Sequence, residues 1–66
     1  MQVTVNGSVY EIPNETTARE MIHRLELTGR RIAMEVNGEI VPRSAYGDHL
    51  FRDGDSIEVI HAVGGG

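Results

Sequence analysis

Two Asn-Gly pairs, at residues 6–7 and 37–38, constrain this chain more than any other feature. Asparagine and glycine both tolerate positive φ, which a two-residue hairpin turn of the right twist demands. Each pair lies between stretches of strand character. Met1, Val3 and Val5 alternate with Gln2 and Thr4 before the first pair, and Tyr10 and Ile12 flank Glu11 after it. Ile32, Met34 and Val36 alternate with Ala33 and Glu35 before the second, and Ile40 and Val41 follow it. A period of two is that of a half-buried strand. Pro13 and Pro42 end the two hairpins, because proline brings no N–H to a ladder.

The segment between the hairpins changes period. Thr17 and Glu20 have capping-box spacing, each able to satisfy a free backbone N–H at the other's position. Ala18, Met21, Ile22 and Leu25 fall at i, i+3, i+4 and i+7, one face of a helix. Glu20, His23, Arg24 and Glu26 are left for solvent. Gly29 is expected to stop the helix in the left-handed conformation. Beyond Pro42, "SAYGDHLF" is expected to form a helical turn or structured loop that buries Leu50 together with Tyr46 or Phe51. Asp53-Gly54-Asp55 reads as a tight turn, and "SIEVIHAV" as the last strand.

Hairpin, helix, hairpin, turn and final strand make a two-layer α+β fold. The last strand is the natural partner of the first. The expected architecture is a β-grasp, ubiquitin-like: a mixed four- to five-stranded sheet with one main helix packed on one face. Residues 1–63 would form that domain and residues 64–66 a flexible glycine tail.

Composition narrows the function. A domain of 66 residues buries only about 60% of the surface of its unfolded chain and has little room for an enclosed pocket. The absence of cysteine excludes disulfides, thiolate metal sites and cysteine nucleophiles. Ten acidic residues against six arginines give a net charge of −4. That argues against nucleic acid, which rewards basic stripes, and favours a partner with a basic face. No signal-peptide pattern is visible, and no apolar run approaches the roughly 18 residues of a membrane span. A cytoplasmic protein without membrane contact is expected. His23, His49 and His61 lack metal-ligand spacing. No phosphate loop, carboxylate pair or Ser/His/Asp set stands out, so neither catalysis nor a bound metal or cofactor is expected.

The remaining signal is at the end, where Gly64, Gly65 and Gly66 follow directly on strand-like sequence. Glycine has no Cβ, allows close approach and populates φ of either sign. Three in succession make a thin thread able to enter a narrow channel, with an unhindered terminal group. Terminal glycines can also be a frayed end or the scar of a tag. The strand before them suggests a surface. If Ile57 and Val59 face the helix, Glu58, Ile60 and Ala62 face outward. Ala33 and Glu35 on the neighbouring strand would share that face. Ile60 beside the tail then reads as part of a docking patch, with Glu35 or Glu58 meeting a partner's arginine. A single exposed isoleucine is equally ordinary surface. His61 and Val63 complete the candidate interface; His61 shares parity with the core but lies near the strand's end.

"VNGEIVPR", "RDGDSIEVIHAVGGG" and the overall length resemble the ThiS-type sulfur carrier proteins of thiamin biosynthesis, and the resemblance covers the whole chain. It implies that a ThiF-type adenylyltransferase uses ATP to activate the Gly66 carboxylate. It further implies that sulfur from a persulfide donor replaces AMP, and that the resulting thiocarboxylate supplies thiazole synthase. ATP would be the partner's reagent, and the carrier itself would hold no cofactor. The family's glycine pair maps onto Gly65 and Gly66, which leaves Gly64 as an extra residue. Three alternatives stay open: the same chemistry serving another acceptor such as molybdopterin, a ubiquitin-like protein modifier, and a β-grasp interaction module with an inert tail.

Overall fold

The computed structural model describes residues 1–61. Five strands form one sheet: β1 (Gln2–Val5), β2 (Ser8–Glu11), β3 (Ile32–Val36), β4 (Glu39–Val41) and β5 (Ser56–His61), in the order β2-β1-β5-β3-β4. The last strand pairs with the first in parallel and with β3 antiparallel, so the sheet is mixed and its centre is β5. One helix, α1 (Ala18–Arg24), covers one face, and a single 3₁₀ turn spans Arg43–Ala45.

Both hairpins close on their Asn-Gly pairs, with φ of 50° and 86° at Asn6 and Gly7 and 53° and 84° at Asn37 and Gly38. The asparagine amides do a second job. Asn6 Nδ2 donates to the Val59 carbonyl at 3.1 Å, and its Oδ1 accepts from the Val59 N–H at 2.9 Å. Asn37 Oδ1 accepts from the Ser56 N–H at 2.9 Å, while its Nδ2 donates to Asp55 Oδ1 at 2.9 Å. Each turn therefore clamps β5, and the side chain supplies the rung that the backbone, bent into the turn, cannot.

Helix α1 has 7 residues, too few to persist on its own in water, so packing and caps must hold it. The capping box is present. Thr17 Oγ1 accepts from the Glu20 N–H at 3.2 Å, and Glu20 Oε1 accepts from the Thr17 N–H at 2.9 Å. Ala18, Met21 and Ile22 are buried against the sheet. The core joins them to Val3, Val5, Met34, Ile57 and Val59 from the sheet and to Ile12, Tyr46 and Phe51. Full burial of side chains such as Met34 and Ile57 contributes about 1.5–3 kcal/mol each.

Three expectations change. The helix ends before Gly29, with Leu25 as its cap. Glu26, with φ of 60°, takes the left-handed position. The Leu27 N–H bonds to the Ile22 carbonyl and the Glu26 N–H to the His23 carbonyl, each at 3.0 Å. This is the double hydrogen-bond pattern of a Schellman ending. Gly29 instead serves the next turn, which the Arg30 N–H to Leu27 carbonyl bond closes. Leu50 is 51% exposed, while Tyr46 and Phe51 are buried. The reason is strand-like alternation: Leu50 forms an antiparallel bridge with Thr17, so with Phe51 turned inward Leu50 faces out. Asp55 is more than a turn residue. It is buried, and its Oδ2 accepts from the Arg52 N–H at 2.8 Å while Oδ1 takes the Asn37 amide.

Candidate functional site

Among the described residues, nothing covers the sheet face opposite the helix, where Val9, Ile40 and Ile60 are exposed. Ile57 and Val59 are buried and Glu58 and Ile60 exposed, as alternation demands. The register places Ala33 opposite Ile60 and Glu35 opposite Glu58. On the far side of β3, Ile40 lies opposite Glu35. Ile60 and Ile40 are 68% and 73% exposed. The patch is thus two large aliphatic side chains, with a half-buried Glu35, an exposed Glu58 and Ala33 between them.

Two carboxylates face each other directly across the β3–β5 pair, an arrangement that disfavours the sheet unless a cation intervenes. Among the described residues, no hydrogen bond engages either carboxylate. A partner's guanidinium, which can bind carboxylates in bidentate fashion, suits this pair. The aliphatic flanks would shield such a contact from water and strengthen it.

Five of the expected site residues fall together here or beside it. Ile60, Ala33, Glu35 and Glu58 share the open face. His61 is exposed and pairs with Ile32, so alternation turns it to the helix side, away from Ile60. Ala62, Val63, Gly64, Gly65 and Gly66 lie outside the described residues. Ile40 was missed. Its signal is parity: with Asn37-Gly38 fixing the turn, Val41 pairs with Met34 and faces the core, so Ile40 must face out. The Val9 side chain, 64% exposed and opposite Thr4, extends the same face toward the β2 edge.

No group of three or more histidine, cysteine or acidic residues is placed to hold a metal among the described residues. No helix there is long and apolar enough to cross a membrane.

The chain matches the model of the ThiS family over residues 3–66. It is 29% identical to the sulfur carrier protein ThiS of Escherichia coli, over the full length of both chains. It is also 33% identical to a segment of the thiazole synthase of Paramagnetospirillum magneticum, spanning 20% of that protein's length. The crystal structure of a thiamine biosynthesis protein, ThiS, from Geobacter metallireducens superposes with a TM-score of 0.83. The two are 29% identical and cover each other completely.

Proposed function

The chain belongs to the ThiS family, and from that premise we propose that it is a sulfur carrier for thiazole formation, with Gly66 as the residue that bears the sulfur. A carboxylate is a poor electrophile; the α-carboxyl group has a reference pKa of about 3.3–3.7 and is ionised at neutral pH. Activation requires an oxygen of the Gly66 carboxylate to attack the α-phosphorus of ATP, releasing pyrophosphate. The mixed anhydride so formed has a good leaving group. Attack on its carbon by a persulfide-derived sulfur expels AMP, and reductive cleavage of the remaining S–S bond by a thiol leaves the thiocarboxylate.

All of this occurs in partner proteins: a ThiF-type adenylyltransferase, a persulfide donor, and a thiazole synthase as acceptor. The carrier contributes a thread and a docking face, acts as co-substrate rather than enzyme, and belongs with those enzymes in the cytoplasm. Gly64, Gly65 and Gly66 let the end pass through a narrow channel. Ile60, Ile40 and Ala33 offer apolar contact, and Glu35 and Glu58 offer charge. In the sequence, His61, Ala62 and Val63 stand between Ile60 and the terminal glycines.

The observation that carries this reading is the match to the ThiS family over residues 3–66, glycines included, together with the similarity to a relative that is a sulfur carrier protein. The choice of acceptor rests on the relative named thiazole synthase, in which a segment like this chain shares a polypeptide with the rest of that protein. The test is a variant with one alanine added after Gly66. It should dock on the adenylating enzyme with unchanged affinity and give no AMP-linked or sulfur-bearing product. Sulfur transfer by the extended chain would refute the assignment of Gly66.

A further inference from the structure

Four of the chain's six arginines gather on the other side of the molecule. Arg19, Arg24, Arg30 and Arg43 line one open groove of about 780 Å³, in a protein whose net charge is −4. Its apolar lining comes from Ile22 and Leu27, joined by Ile32 and Tyr46. The Schellman ending of α1 builds part of that lining, because the Leu27 N–H to Ile22 carbonyl bond brings these two residues together. The one acidic residue on the groove is Glu20, which is held in the capping box by Thr17.

Among the described residues, no hydrogen bond uses a guanidinium group. One arginine has a fitted seat. A Cβ placed on Gly47 would stand 3.1 Å from Arg19 Nη1 and 3.2 Å from its Cζ, so the guanidinium rests on bare backbone.

Arginine binds carboxylates and phosphates alike, and two observations separate them. Arg19 and Glu20 of the first turn of α1 line the groove together with Ile22, His23 and Arg24 of its last turn, whose carbonyl end carries partial negative charge and opposes a compact polyanion. The amides of Glu26, Leu27 and Arg30 are already bonded within the chain, so these three are not available to cradle a phosphate. Carboxylates spread along an apolar stripe suit four separated guanidinium groups around an apolar lining.

We propose that this groove is a docking site for an acidic amphipathic helix of a protein partner, its apolar stripe on Ile22, Leu27 and Ile32 and its carboxylates on the surrounding arginines. Charge complementarity carries the assignment: an acidic molecule presents one basic, apolar-lined groove, which would select and steer an acidic segment. The groove lies on the helix side of the sheet and the Ile60 patch on the other. Two partners could therefore be held at once. The inference stands whether or not Gly66 carries sulfur.

The test is an NMR titration of the full-length ¹⁵N-labelled protein. The probe is an end-blocked peptide of about 15 residues, long enough to be helical, with leucine at i, i+3, i+4 and i+7 and glutamate elsewhere. The expected result is amide shifts confined to Ile22–Ile32 and Arg43–Tyr46. Affinity should fall about tenfold from low to physiological salt. It should fall by a further tenfold or so in the Arg24→Glu, Arg30→Glu double variant, whose exposed positions leave the fold intact by circular dichroism. No binding, shifts centred on Ile60, or undiminished binding by the double variant would each overturn the proposal. Equal shifts of the same amides with inorganic pyrophosphate would also overturn it, making the groove a phosphate site.

Discussion

At the residue scale, the Asn6 amide shows how a local signal can conceal a long-range one. Asparagine suits the left-handed turn position, and aspartate would suit it nearly as well. Only the amide can both donate to the Val59 carbonyl and accept from the Val59 N–H, 53 residues away. Asn6→Asp would place a carboxylate oxygen against that carbonyl. It should cost about 1–3 kcal/mol, lowering the melting temperature by several degrees at about 4–8 °C per kcal/mol; a thermal melt checks this. The turn was legible in the sequence, but the clamp was not, because nothing local marks the partner strand. Glu20 gives a pH-dependent counterpart. Hydrogen bonds from the Thr17 backbone N–H and then its hydroxyl hold the Glu20 carboxyl below its ordinary pKa, with Arg24 adding a smaller pull. A depressed folded-state pKa means stability that is present above the unfolded value and lost as pH falls through the folded one. Denaturant unfolding should therefore separate wild type from Glu20→Ala at neutral pH, with the gap closing in acid below the usual glutamate range.

At the element scale, starts proved easier to read than stops. The Thr17–Glu20 capping box is a fixed spacing of two residue types, and it formed as read. Glycine's tolerance of positive φ points to Gly29 as the stop, yet Glu26 adopts φ of 60°. Packing decides this: ending at Leu25 lets Leu27 fold back to Ile22, and the groove lining gains both. Glu26 therefore holds a conformation that costs an L-residue about 1–2 kcal/mol. Glu26→Gly should stabilise the protein by about 1 kcal/mol, measured by denaturant unfolding; a loss would show that the Glu26 side chain makes contacts outweighing its backbone strain. Leu50 was misread for a related reason. A long-range bridge to Thr17 imposes alternation on a segment that reads as a loop. The strands were legible in position, since two fixed turns set the parity of the hairpins, but not in burial at the sheet edge: every residue of β2, Tyr10 included, is exposed.

At the scale of the whole molecule, the sheet order β2-β1-β5-β3-β4 places the last strand in the middle. Its first residues, Ser56 and Ile57, lie between both neighbouring strands, Asn37 clamps Ser56 and Asn6 clamps Val59, and β3 pairs with it as far as His61. The open face was foreseen in Ile60, Glu58, Ala33 and Glu35, which follow from strand parity. The arginine groove was not, because its residues come from four segments brought together only by the helix packing on the sheet.

The most direct measurement is the intact mass of the protein after incubation with ATP, its adenylating enzyme and a persulfide source with reducing thiol. The account predicts a gain equal to one oxygen replaced by sulfur, with fragmentation placing it on Gly66. An unchanged mass, alongside an adenylating enzyme shown to be active on a known carrier, would contradict it.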